Sequence, residues 1–209
     1  MVRGRENMVW KFTVDMKPLL REHTGITADE RMARMAFQVF LAIMRKHFEL
    51  WDVPFVTISD GRRTGSCSCY DSIGEFIDYI PFIASGDGAE EYERYSQYLK
   101  DYESNGINVL ESYGGAGQNS VSSRMKLMEY LRSIAIVYNY QHYAADMREE
   151  RYESDGFREA GQMKLINFVV RPGTDTITFI ITSPVHIDNP KQCAENICSV
   201  SGNESGEKR

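Results

Sequence analysis

Three features of the sequence predict an α+β fold: an alternating strand near the start, a capped helix apolar on nearly every side, and a β-hairpin late in the chain. The architecture expected from them is an antiparallel sheet containing the C-terminal hairpin, with two long helices packed on one face. Residues 1–185 are assigned to a single α+β domain and 186–209 to a disordered C-terminal tail, where the residues become polar and Gly/Ser-bearing.

Trp10-Lys-Phe-Thr-Val-Asp15 alternates apolar and polar side chains, the period of a half-buried strand. Thr27-Ala-Asp-Glu30 is a capping box, so a long helix is predicted from Ala28 to Leu50. Met32, Ala36, Val39, Ile43 and Leu50 make one stripe on it, while Phe37, Phe40, Leu41 and Met44 cover other faces. Such a helix must be buried on several sides, against a sheet or against another subunit. Phe37 and Phe40 are therefore interface candidates. Pro54-Phe-Val-Thr-Ile-Ser59 reads as a second strand running into the turn-rich Asp60-Gly-Arg-Arg-Thr-Gly65. Ser72 to Ile83 reads as a short amphipathic segment.

Glu90 to Glu103 is predicted as an acidic helix with Tyr92, Tyr95, Leu99 and Tyr102 on one face. Tyrosines at this spacing sit half-buried over a core or form a contact surface, which adds Tyr92, Tyr95 and Tyr102 to the interface candidates. After Gly114-Gly-Ala-Gly117-Gln-Asn-Ser120 a second long helix is expected over 121–149, with Tyr138 and His142 in its apolar stripe. His142 is read there as a packed histidine, and Asp146, Glu149, Glu150 and Glu153 as a solvated acidic face. Met163–Val170 and Thr176–Ser183 are the clearest strands, joined by Arg171-Pro-Gly-Thr-Asp175 as a hairpin turn.

Composition limits the function classes. A net charge of −6 opposes binding to a phosphate backbone, so nucleic acid is not the expected partner. The apolar run Met35–Met44 is too short to span a bilayer, and the N-terminal residues lack the apolar core of a secretory signal. A reducing, cytoplasmic setting is expected, with Cys67, Cys69, Cys193 and Cys198 as free thiols. Their C-x-C and C-x₄-C spacings suit zinc poorly, and neither a metal nor a cofactor is expected.

Two loops could hold an anion. Backbone amides of Gly114, Gly115, Gly117 and Ser120, ahead of a helix, could cradle a phosphate, although the lysine of a P-loop is missing. Arg62 and Arg63 could clamp a carboxylate or phosphate. No Ser-His-Asp, Cys-His or paired-carboxylate signature stands out.

The order of an N-terminal strand (Phe12-Thr-Val-Asp15), Leu19-Leu20, a long Ala/Met-rich helix and Asp60-Gly-Arg-Arg-Thr-Gly-Ser66 resembles the opening of phage tail-completion and head–tail connector proteins. That resemblance implies a virion location and a ring-forming, non-enzymatic joint, with Asp60–Gly65 and the apolar helix at subunit contacts. The expected function is thus a self-associating assembly protein, a homo-oligomer or a binder of protein partners. The alternative is a small-molecule or nucleotide-binding protein, an enzyme included, that uses the glycine loop and the arginine pair.

Overall fold

Thr27 starts the central helix as its sequence predicts: its Oγ1 accepts the Glu30 amide at 3.2 Å from an extended backbone. The computed structural model describes residues 7–20, 25–60, 63–64, 67–68, 77–105, 134–141 and 166–201. In chain order these form β1 (Met8–Asp15), α1 (Lys17–Leu20), α2 (Ala28–Phe48), β2 (Val53–Asp60), β3 (Arg63–Thr64), β4 (Cys67–Ser68), β5 (Ile77–Ala84), α3 (Gly88–Asn105), β6 (Ile136–Tyr140), β7 (Ile166–Pro172), β8 (Thr176–Ser183) and α4 (Pro190–Ser201). Asp29 and Glu30 in the first turn of α2 and Arg45, Lys46 and His47 in its last turn complement the helix dipole. The helix closes at Glu49, which takes a left-handed backbone at φ 53°.

Six strands make one sheet in the order β1-β8-β7-β6-β2-β5, and β3 pairs with β4 separately. The large sheet is mixed, which corrects the antiparallel expectation: β6 lies parallel to both β2 and β7, and the other pairs are antiparallel. The predicted hairpin is present as β7–β8, with Gly173 N–H donating to the Thr176 carbonyl at 2.7 Å across its turn. Three other expectations change. Ile136–Tyr140, read as part of a long helix over 121–149, is one of the two central strands of the sheet. Its Ile136, Val137 and Tyr138 are buried on both faces, so they lack the alternation that marks a strand. Ile77–Ala84, read within an amphipathic segment, is the edge strand β5. Pro190–Ser201, assigned to the tail, is a helix that docks Ala194 and Cys198 into the core.

The helices α2, α3 and α4 cover one face of the sheet, with α2 in the middle. Its all-round apolar surface is accounted for by the sheet below and a helix on each flank. Phe37 stacks on Tyr95 at 4.8 Å and meets Tyr138 edge-on at 5.6 Å. Phe40 reaches Phe55 at 5.1 Å, Tyr138 at 4.7 Å and Phe168 at 5.2 Å. These aromatics are almost wholly buried, and the Tyr95 hydroxyl is satisfied by donating to Thr57 Oγ1 at 2.9 Å. On the opposite face Val56, Ile134 and Val137 form a smaller buried cluster.

The turn from β5 into α3 is pinned by charge. Gly86 N–H donates to Glu91 Oε2 at 2.9 Å, Arg45 Nη2 donates to the Gly86 carbonyl at 2.8 Å, and Arg94 pairs with Glu91. Burial pushes the Glu91 carboxyl up, but the Arg94 guanidinium and the Gly86 amide more than offset this and hold it below the usual range. A side chain at position 86 would begin 2.6 Å from Glu91 Oε2, so the carboxylate would have to shift to admit one.

Two outcomes follow from this core. Phe40→Ala, which empties a site touching three strands, should cost ~3–5 kcal/mol in chemical denaturation. The buried tyrosines should make the fold alkali-sensitive. Burial, helped by the Glu30 charge, pushes Tyr92 up to about 12, and burial also raises Tyr95 and Tyr138. The folded chain therefore holds these protons more tightly than the unfolded chain does. Stability should be complete below the unfolded tyrosine value near ~10 and fall as pH rises toward the folded values. Phenolate absorbance of these residues should appear together with loss of circular dichroism; titration well before unfolding would contradict it.

Candidate functional site

Strands β2, β6 and β7 run in one direction, and β1 shares it because β8 lies antiparallel to both β1 and β7. Asp15, Asp60, Tyr140 and Pro172 therefore end on one edge of the sheet. In open sheets with parallel strands, ligands bind outside these carboxyl ends. The N-terminus of α2 is at the same edge, where the Tyr140 hydroxyl donates to Asp29 Oδ1 at 3.1 Å. Burial, followed by the Asp29 charge, raises the Tyr140 phenol well above its ordinary value, so it stays protonated.

Gln141 extends β6 by one residue. Its N–H donates to the Val170 carbonyl at 2.9 Å, and its Oε1 accepts Arg171 Nε at 3.0 Å. By strand alternation Tyr140 belongs to the helix-covered face, and Gln141 and Arg171 to the other. The edge thus gathers a phenol, a carboxamide, a guanidinium, the Asp29 carboxylate and the positive end of a long helix. Such a set can orient a carbonyl or an anionic group.

Of the residues singled out from the sequence, one follows this edge, five are buried and the others lie outside the described residues. Arg63 is on β3, which follows β2 over this edge and packs against α3. Arg62, Gly114, Gly115, Gly117 and Ser120 lie outside the described residues, as do His142 and Asp146. The interface candidates are core: Phe37 and Phe40 are 0% exposed, and Tyr92, Tyr95 and Tyr102 are 5–7% exposed. Their area is used within the chain. Arg171 could be seen in the sequence only as the start of a turn, and Tyr140 was hidden in the presumed helix.

Cys193 is a half-buried free thiol and Cys198 a buried one, which burial pushes up to about 11. Among the described residues no group of His, Cys, Asp and Glu is placed to hold a metal, and no helix is long and apolar enough to cross a membrane.

No family model and no curated protein matches the chain. Solved structures do match its fold. The epimerization domain from the third module of tyrocidine synthetase B superposes with a TM-score of 0.57 at 11% identity, covering 95% of this chain and 47% of its own. Polyketide synthase associated protein 5 from Mycobacterium tuberculosis gives 0.58 at 8% identity, covering 96% and 52%. The first condensation domain of the CDA synthetase gives 0.52 at 12% identity, covering 96% and 46%. These likenesses overturn the resemblance to phage tail-completion and connector proteins, and with it the viral, non-enzymatic joint. The strand, long helix and second strand that carried the resemblance are β1, α2 and β2 of this different fold, a succession common to many α/β proteins. The chain spans about half the length of these solved structures, and what it shares with them is the fold of about half of an epimerization domain, a polyketide synthase associated protein and a condensation domain.

Proposed function

We propose that the chain is an enzyme that condenses an activated acyl group with an amine at the carboxyl edge of its sheet. The observation that carries this reading is the fold likeness over nearly the whole chain to synthetase domains described as condensation domains. It deepens the small-molecule alternative and replaces the assembly reading.

The chemistry of the edge fits such a reaction. Attack of an amine on a carbonyl needs a base to take the amine proton and donors for the oxygen that becomes negative. From Gln141 the sequence continues His142-Tyr-Ala-Ala-Asp146, an imidazole followed four residues later by a carboxylate. We assign His142 as the base and Asp146 as the group that orients it. Arg171, held by Gln141, supplies a fixed positive charge for the acyl donor. Arg62 and Arg63, which follow β2 from the same edge, supply cationic groups for an anionic portion of it. In the condensation the amine nitrogen bonds to the acyl carbon, the leaving group departs with its electron pair, and the proton held by His142 returns to that leaving group.

The test is amide formation from a simple acyl thioester and a primary amine, followed by mass spectrometry. His142→Ala should lower the rate by about 100-fold or more while leaving the circular dichroism spectrum intact. Arg171→Ala should mainly raise KM for the acyl donor. An unchanged rate in His142→Ala would remove the assigned base, and absence of amide across a panel of acyl donors and amines would remove the reading.

A further inference from the structure

The two edges of the large sheet differ. On β5 a proline, Pro81, sits in mid-strand opposite Val56 and withholds a backbone donor, a common way to blunt an edge. On β1 eight residues run without proline, and among the described residues no strand pairs with their outer side.

The direction of the β1 backbone groups is fixed by one bond. Met16 N–H donates to the Asp175 carbonyl at 2.8 Å, in register with the β1–β8 pairs. Backbone groups alternate along a strand, so the even-numbered residues of β1 face β8 and the odd-numbered ones face outward. The outward set is Val9, Lys11, Thr13 and Asp15, whose side chains also share the face away from the helices and are exposed.

We propose that β1 pairs antiparallel with β1 of a second copy of this chain, joining two sheets about a two-fold axis at Thr13. A continuous sheet keeps helix-facing residues opposite helix-facing residues, which leaves few symmetric registers. Centring on Lys11 places like charges directly opposite. Centring on Phe12 sets Lys11 against Thr13 and Val9 against Asp15. Centring on Thr13 sets Lys11 against the partner's Asp15 at both ends, and Phe12 against Val14 on the helix-facing side. In that register Thr13 pairs with its own copy and Lys11 with Asp15 through the outward N–H and C=O groups. It alone matches opposite charges. The same register brings the partner's Lys17–Leu20 segment beside the groove that Trp10 and Phe12 form with His186 and Ile187. A second copy therefore meets a concave surface at each end of the pairing rather than a wall.

Light scattering coupled to size exclusion on the full chain tests this. The expected mass is twice 24.0 kDa. Thr13→Pro removes an outward donor and the Thr13–Thr178 hydroxyl contact but no β1–β8 backbone bond, and should give a monomer with an unchanged circular dichroism spectrum. Lys11→Asp and Asp15→Lys each place like charges at both ends and should weaken the dimer by about tenfold or more. The double variant K11D/D15K restores opposite charges and should recover the wild-type dimer. Both Asp15 variants lose the bond from Lys17 N–H to Asp15 Oδ1, so recovery in the double variant reports the cross-strand pair alone. A monomer at every concentration overturns the proposal. So does a dimer indifferent to Thr13→Pro and to the single charge changes, or a double variant no better than either single one.

Discussion

The packing of Phe37 and Phe40 between the sheet and the flanking helices is the constraint on which the rest of this structure depends. Two rings on adjacent turns of α2 tie together β2, β6, β7 and α3 through Phe55, Tyr138, Phe168 and Tyr95. With both rings enclosed, the helix can neither rotate nor slide without opening a cavity. That fixation reaches the functional edge, because the first turn of α2 carries Asp29 to the Tyr140 hydroxyl. A core contact and a site contact are thus successive links of one rigid element.

How much of this was legible depended on whether an element meets water. β1 and the β7–β8 hairpin each keep a half-exposed face, so their alternation is visible in the residues themselves. The capping box placed the start of α2 to the residue. β6 is sheet-centred and apolar on both sides, and a short apolar run inside a longer helical pattern cannot be separated from helix by periodicity. The misreading then spread: with 136–140 taken as helix, Tyr138 became one more stripe residue, and the place of Tyr140 at the carboxyl edge was lost from view. Arg171 suffered differently, since a residue at a strand end next to Pro-Gly looks like turn chemistry. The tyrosines of α3 were read correctly as a stripe, and only the structure could say that it faces inward.

The fold likeness sets a frame for the chemistry without supplying it. At 8–12% identity, the epimerization, polyketide-associated and condensation structures share with this chain a backbone arrangement, and their own lengths are roughly double. Function must then be argued from the groups that the arrangement delivers to one place. Here those groups are two hydrogen-bonded pairs, Tyr140 with Asp29 and Arg171 with Gln141, where parallel strands end, whereas the interior between sheet and helices is aromatic and closed. A beginning of strand–helix–strand, taken alone, does not discriminate between the many folds that open in this way.

The turn between β5 and α3 has an evolutionary corollary. Because Glu91 Oε2 lies 2.6 Å from where a Cβ on residue 86 would stand and accepts that residue's N–H, the two positions are sterically and electrostatically linked. Arg94 and Arg45 close the same circuit from α3 and α2. In homologous sequences these four sites should covary: a residue larger than glycine at 86 calls for a shorter acceptor at 91, and loss of the acid leaves the arginine at 94 with the Ile83 carbonyl and the Phe82 ring in place of its ion pair.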